Sequence, residues 1–169
     1  MCVGQPKISR APTGGEKRLG NVASVDYDET DRGVIADMLR QASAVTLPGH
    51  MGLELIDIGE GTASMRCEVR PFHMAPNGYL HAGAVVTLAD TAAGYGCVGN
   101  LPSGGSGFTT VELKTNFTGT LLEGSMLAEA RMIHAGKKTQ VWDVEVSNEE
   151  TGRIIALFRA TQMILYPGS

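Results

Sequence analysis

A chain of 169 residues with a formal net charge of −4 suits one domain, because a domain of roughly 150 residues buries about 68–70% of its unfolded surface. The acidic balance argues against a general grip on nucleic acid or an anionic membrane, while leaving room for a local basic patch against phosphates. Cys2, Cys67 and Cys97 are odd in number and form no Cys-x-x-Cys pair, so neither a disulfide framework nor a zinc knuckle is indicated, and a reducing cytoplasm is the simplest setting.

The opening run MCVGQPKISRAPTGG lacks the apolar core of a secretory signal, and no apolar run approaches the about 18 residues of a membrane span. Residues 1–28, with Pro6, Pro12, Gly14 and Gly15, read as a flexible leader; a transit peptide is the alternative, since no acidic residue precedes Glu16. Residues 29–169 then form the single folded domain. Its first element is a helix, because Val34, Ile35, Met38, Leu39 and Ala42 share one face of a 3.6-residue period. Thr30 or Asp31 caps its start, and Pro48-Gly49 marks its exit.

The period then changes to two. GLELIDIGEG supplies a first strand, and in TASMRCEVR the residues Ala63, Met65, Cys67 and Val69 form the buried face of a second. Gly59-Glu60-Gly61 joins the two as a hairpin. After residue 107 the alternation returns four times. Val111, Leu113, Thr115 and Phe117 form one inward set, and Met126, Ala128, Ala130 and Met132 the next. Trp142, Val144 and Val146 form the third, and Ile154, Ala156, Phe158 and Ala160 the fourth. The turn signals between them are of hairpin length, so consecutive strands are expected to pair antiparallel.

Between the strand groups, AGAVVTLADTAAGYGC (residues 82–97) is apolar on every side, with Asp90 its one charge. Such a helix must be buried. Its glycines cost helix propensity, but its many small Gly and Ala residues let its backbone lie close to a sheet. The order β-β-α-β-β-β-β with one buried helix describes an α+β fold, a curved antiparallel sheet wrapped around that helix.

A carboxylate in a buried helix costs several kcal/mol of desolvation unless it is paired, and Asp90 lies too deep in the helix to be an N-cap. Directly before the helix stand Asn77-Gly78-Tyr79-Leu80-His81-Ala82-Gly83. A helix N-terminus presents unpaired N–H groups and partial positive charge. The N–H groups of Ala82 and Gly83 are therefore candidates to hold a carbonyl oxygen that gains negative charge. Ala82 and Asp90 are eight residues apart, about 12 Å along a helix axis at 1.5 Å per residue. One chain cannot bring both to a single carbonyl, whereas two antiparallel helices across a two-fold axis can. The site is expected to belong to a homodimer, or to a homotetramer built from dimers.

The run from Asn77 through His81-Ala82-Gly83 to Leu88-Ala89-Asp90 closely resembles the central motif of hotdog-fold thioesterases of the phenylacetate-pathway (PaaI-like) type. The resemblance covers about residues 50 to 165. It implies a hotdog fold, an acyl-CoA substrate, and Asp90 as general base or nucleophile. It further implies Ala82 as the oxyanion N–H donor and Asn77 as an aid in placing the thioester or water. The family motif has Gly where this chain has Ala82, a change that keeps the backbone donor but adds a methyl group at the pocket mouth. Basic turns in the family lie near the nucleotide of coenzyme A, which makes Lys137 and Lys138 candidate phosphate contacts; Arg66, Arg70 and Lys114 are further options.

His81 reads chiefly as a residue that orients the loop. His50, His73 and His134 show no metal-ligand spacing, and neither metal nor cofactor is expected. Cys97 lacks a basic neighbour that would activate it. Two rival readings share the fold. A non-catalytic acyl-CoA binder would gain nothing from a buried charge at Asp90. An enoyl-CoA hydratase of this fold pairs an Asp with a His before the helix, where this chain has Asn77.

Overall fold

The computed structural model describes residues 32–168; the expected leader and the capping candidates Thr30 and Asp31 lie outside the described residues. Helix α1 (Arg32–Ser43) and the short α2 (Leu47–His50) lead into strands β1 (Leu53–Gly59) and β2 (Thr62–Glu68). A single 3-10 turn (Pro71–His73) and a loop precede α3 (Ala82–Val98). Four strands follow: β3 (Gly107–Phe117), β4 (Ser125–Ala135), β5 (Thr139–Asn148) and β6 (Ile154–Leu165). All six strands form one antiparallel sheet in the order β1-β2-β4-β5-β6-β3, with α3 packed against its inner face. Among the described residues no helix is long and apolar enough to cross a membrane.

The small residues of α3 govern how closely it packs. Leu88, Ala89, Ala92, Ala93 and Cys97 have no exposed surface and meet the buried inner faces of β2, β4, β5 and β6. A Cβ on Gly96 would come within 2.6 Å of the Trp142 ring, so glycine is what lets the helix rest on that indole. Polar bonds fix the same end of α3. Asn100 donates to Gly96 O at 2.9 Å and to Gly59 O at 3.0 Å, while Gln140 donates to Asn100 O and accepts from Trp142 Nε1. The buried indole nitrogen is thereby satisfied, as burial of a polar group requires.

Four expectations are corrected. The buried stripe of α1 is Ile35, Ala36 and Ser43, with Leu39 partly covered, while Val34 and Met38 are exposed. The helix is turned toward Ser43, whose hydroxyl donates to Leu39 O and meets the Tyr95 hydroxyl. Pro48-Gly49 lies inside α2 rather than ending α1, with Pro48 early in its first turn, where a missing N–H costs nothing. In β6, Ile154 is exposed and Ile155 buried, because the register with β5 shifts there and a bulge changes which side chains face in.

The largest difference concerns β3. It pairs with β6 rather than β4, and β4 inserts between β2 and β5. The connection over residues 118–124 is hairpin-short, yet it crosses the end of the sheet. Thr118 and Gly119 donate to Ile155 O on β6, and Gly124 O accepts from Val69 just beyond β2. β3 is therefore an edge strand, and its expected inward set is largely uncovered: Val111 is 60%, Leu113 40% and Phe117 49% exposed.

Candidate active site

Asp90 sits mid-way along α3, half-buried, with Oδ1 removed from solvent and making no hydrogen bond. Burial raises its carboxyl above the usual carboxylate range, and the Thr110 hydroxyl across the gap on β3 pulls in the opposite direction. Desolvation is the larger of the two effects. Thr110 was not legible in sequence, because only the bulge between Thr110 and Glu112 sets which residues of β3 face the helix. Further along the sheet, Thr115 Oγ1 and both amide atoms of Gln162 are also buried without a partner, and Gln162 is the register partner of Thr110.

The start of α3 is built by its N-cap. His81 adopts extended backbone, and its Nδ1 accepts the Gly83 N–H at 2.8 Å. Accepting at Nδ1 puts the proton of the neutral ring on Nε2. The Gly83 N–H is thus engaged. Ala84 and Val85 donate to His81 O. No hydrogen bond among the described residues uses the N–H of Ala82, which is exposed at the helix tip.

The loop before the helix is held from below by His73, which is 1% exposed. Its Nδ1 accepts from Arg70 N and its Nε2 contacts Met51 O at 2.9 Å, while its carbonyl receives the His81 N–H. Sequence spacing pointed to no such role. Asn77 uses Oδ1 to accept from Tyr79 N at 3.2 Å, next to Gly78 at φ +81, a left-handed conformation that glycine tolerates best. Asn77 is exposed, and no hydrogen bond among the described residues uses its amide nitrogen.

Lys137 and Lys138 are exposed in the β4–β5 turn, at the end of the sheet where β3 begins. Tyr166 donates to Lys137 O and Ile164 to Lys138 O. No hydrogen bond or ion pair among the described residues links either lysine to Asp90. Cys97 is fully buried and its thiol is pushed up to about 12 by desolvation, so it stays protonated and serves packing. No cluster of His, Cys, Asp and Glu suited to a metal ion occurs among the described residues.

A family model described as the thioesterase superfamily matches residues 77–155, from Asn77 through α3 to the start of β6. A 1,4-dihydroxy-2-naphthoyl-CoA hydrolase of Listeria monocytogenes is 32% identical over 111 residues, spanning 66% of this chain and 89% of its own. The chain belongs to the thioesterase superfamily. The acyl-coenzyme A thioesterase PaaI of Escherichia coli is 33% identical over 110 residues, covering 64% of this chain and 75% of its own. The solved structure of Escherichia coli PaaI superposes with a TM-score of 0.68 at 25% identity, over 79% of this chain and 96% of that one. A thioesterase structure from Haemophilus influenzae gives 0.73 at 25%, over 79% and 92%. The sheet wrapped on α3 is thus the hotdog fold, and this thioesterase carries Asp90 and Ala82 on its central helix.

Proposed function

We propose that the chain hydrolyses an acyl-CoA thioester to the free acid and CoA, with Asp90 as general base or nucleophile and the Ala82 N–H as the oxyanion donor. Thioester hydrolysis follows from membership of the superfamily. The observation that carries the residue assignment is the Asp90 Oδ1, withdrawn from solvent and unbonded, on the same helix whose tip leaves the Ala82 N–H free. A thioester is intrinsically reactive, so one preorganised donor and one carboxylate are sufficient equipment. The raised Asp90 carboxyl is the better base for it, since basicity rises with pKa. Gly83 serves by a different route from the one its position suggested: its N–H fixes His81, and so the shape of the helix tip, rather than the oxyanion. Asn77 keeps an amide nitrogen for the thioester or the attacking water.

The site is shared by two copies. Ala82 and Asp90 lie about 12 Å apart along one helix, too far for one carbonyl. The uncovered edge of β3, with Leu113 and Phe117 exposed, offers the surface on which a second chain pairs. An antiparallel partner helix then brings its own tip toward Asp90. Lys137 and Lys138 would hold CoA phosphates through charge-assisted bonds.

The first test is hydrolysis of acyl-CoA by the wild type and Asp90→Asn. Turnover is expected to drop by about 10²–10⁴ in the variant with its assembly retained and its melting temperature no lower than that of the wild type. Equal activity in the two proteins removes Asp90 from the mechanism.

A further inference from the structure

Gln162 is a buried amide without a partner. It lies on the inward face of β6 with Ala156, Phe158, Ala160 and Ile164, all buried, while Leu157, Arg159 and Met163 on the other face are exposed. It has no exposed surface, and neither its amide oxygen nor its amide nitrogen is hydrogen-bonded. Burying an unpaired amide is costly, and proteins seldom leave one so. Its neighbour on β5, Gln140, is already engaged, donating to Asn100 O and accepting from Trp142 Nε1. Its neighbour on β3 is Thr110, whose hydroxyl meets Asp90.

We propose that Gln162 is a positioning residue for the hydrolysis: its amide N–H, directly or through one water, is the donor that Asp90 Oδ1 lacks. The inference rests on Asp90 being the base or nucleophile. Residues directly opposite in an antiparallel pair have Cβ atoms about 4.5–5.5 Å apart, and the Thr110 hydroxyl sits on its own Cβ. The carboxylate is thus one hydrogen bond from a point that close to Gln162, a gap that a glutamine side chain spans. The two orphans are complementary: Asp90 Oδ1 accepts and has no donor, while Gln162 Nε2 donates and has no acceptor. Thr115 Oγ1 is also buried and unpaired, but Thr115 pairs with Phe158, four residues from Gln162 and about 13 Å away at 3.3 Å per residue. Held between Thr110 and Gln162, the carboxylate keeps one orientation, and its ionised form is favoured.

No charge competes with these two groups. Burial and the Thr110 hydroxyl are what act on the Asp90 carboxyl. β2 turns inward only the Cys67 thiol, which burial pushes up to about 11. Arg32 of α1 donates to Gly99 O at the far end of α3. The buried faces of β4, β5 and β6 carry no titratable side chain, and the charged residues of β1 and β3, like His50 of α2, are exposed.

The test is the pH dependence of acyl-CoA hydrolysis by the full chain carrying Gln162→Met, which keeps the side-chain length and removes the amide. On the alkaline plateau kcat is expected to fall about tenfold, as loss of a hydrogen bond to a charged group does, with KM within about twofold of the wild type. The acid limb of kcat/KM should move to higher pH by about 1. Gln162→Glu sets a second carboxyl against Asp90 and should move that limb further. Gln140→Met removes a buried amide that is turned to Asn100 instead, and serves as the control: a lower melting temperature with the limb in place. A limb that stays put in both Gln162 variants, or moves as far in Gln140→Met, overturns the proposal and leaves Gln162 to packing alone. Should Gln162→Met not fold, Gln162→Asn, one methylene shorter, carries the same readout; loss of folding in all three variants also overturns it. Turnover that depends on Asp90 but not on Gln162 leaves the catalytic reading standing. Turnover that survives Asp90→Asn, or its absence in the wild type, removes that reading and this one with it.

Discussion

Strands β3 and β5 carry the same alternating pattern and meet opposite fates. β5 has neighbours on both sides and α3 above it, so Trp142, Val144 and Val146 are all but fully buried. β3 has a neighbour on one side only, and Val111, Leu113 and Phe117 remain exposed beyond the reach of the helix. Identical periodicity therefore marks a core in one place and an unfinished surface in the other. The unfinished strand is also the one that brings Thr110 to Asp90. The difference teaches that β5 holds the helix in place while β3 leaves an open edge, the one on which the proposed second copy would pair.

That comparison breaks most sharply at Trp142. Trp142→Ala removes a fully buried ring and is expected to cost about 3–5 kcal/mol of stability, read by denaturant unfolding. A loss below about 1 kcal/mol would mean that β5 is not the support of α3. Leu113→Asp on β3 is expected to leave the fold of the single chain intact, since the site is exposed, but to oppose pairing of the edges, because burying an unpaired charge costs several kcal/mol. Ultracentrifugation should show dissociation, with activity falling in parallel; a fully active monomer would refute a shared site.

Smaller effects sharpen the picture at Asp90. Thr110→Val removes the group that favours the ionised carboxylate, so the acid limb of the kcat/KM profile is expected to move to higher pH. An acid limb that does not move would detach Thr110 from Asp90. The smallest effect is on stability. With the folded-state pKa of Asp90 raised, the ionised group penalises the folded state. That penalty is absent below the unfolded pKa, grows as pH rises, and is complete above the folded pKa. Asp90→Asn should therefore raise the melting temperature at neutral pH, with the difference vanishing in acid.

Much of this was legible along the chain. The 82–97 run announced a buried central helix through its small apolar residues, and the inward faces of β2, β4 and β5 follow from alternation alone. The family motif pointed to Asp90 and to the turn before it. What alternation could not carry was strand order, because a short connection at the end of a sheet looks the same whether it closes a hairpin or crosses two strands, as 118–124 does. Bulges escaped for a related reason: one extra residue at Ile155 or Val111 reverses which side chains face inward, and composition does not register it.

Local physics, then, determined the parts of this protein: hydrophobic periodicity decides helix or strand, small residues decide how near a helix can lie, and a lone charge in an apolar helix declares itself by its desolvation cost. Only the tertiary structure decided which donor stays free at the helix tip, since the capture of the Gly83 N–H by His81 Nδ1 is a matter of side-chain geometry. It also decided that β3 forms the open edge and that Thr110 meets Asp90. Those outcomes depend on pairings between residues distant along the chain, which no local pattern encodes.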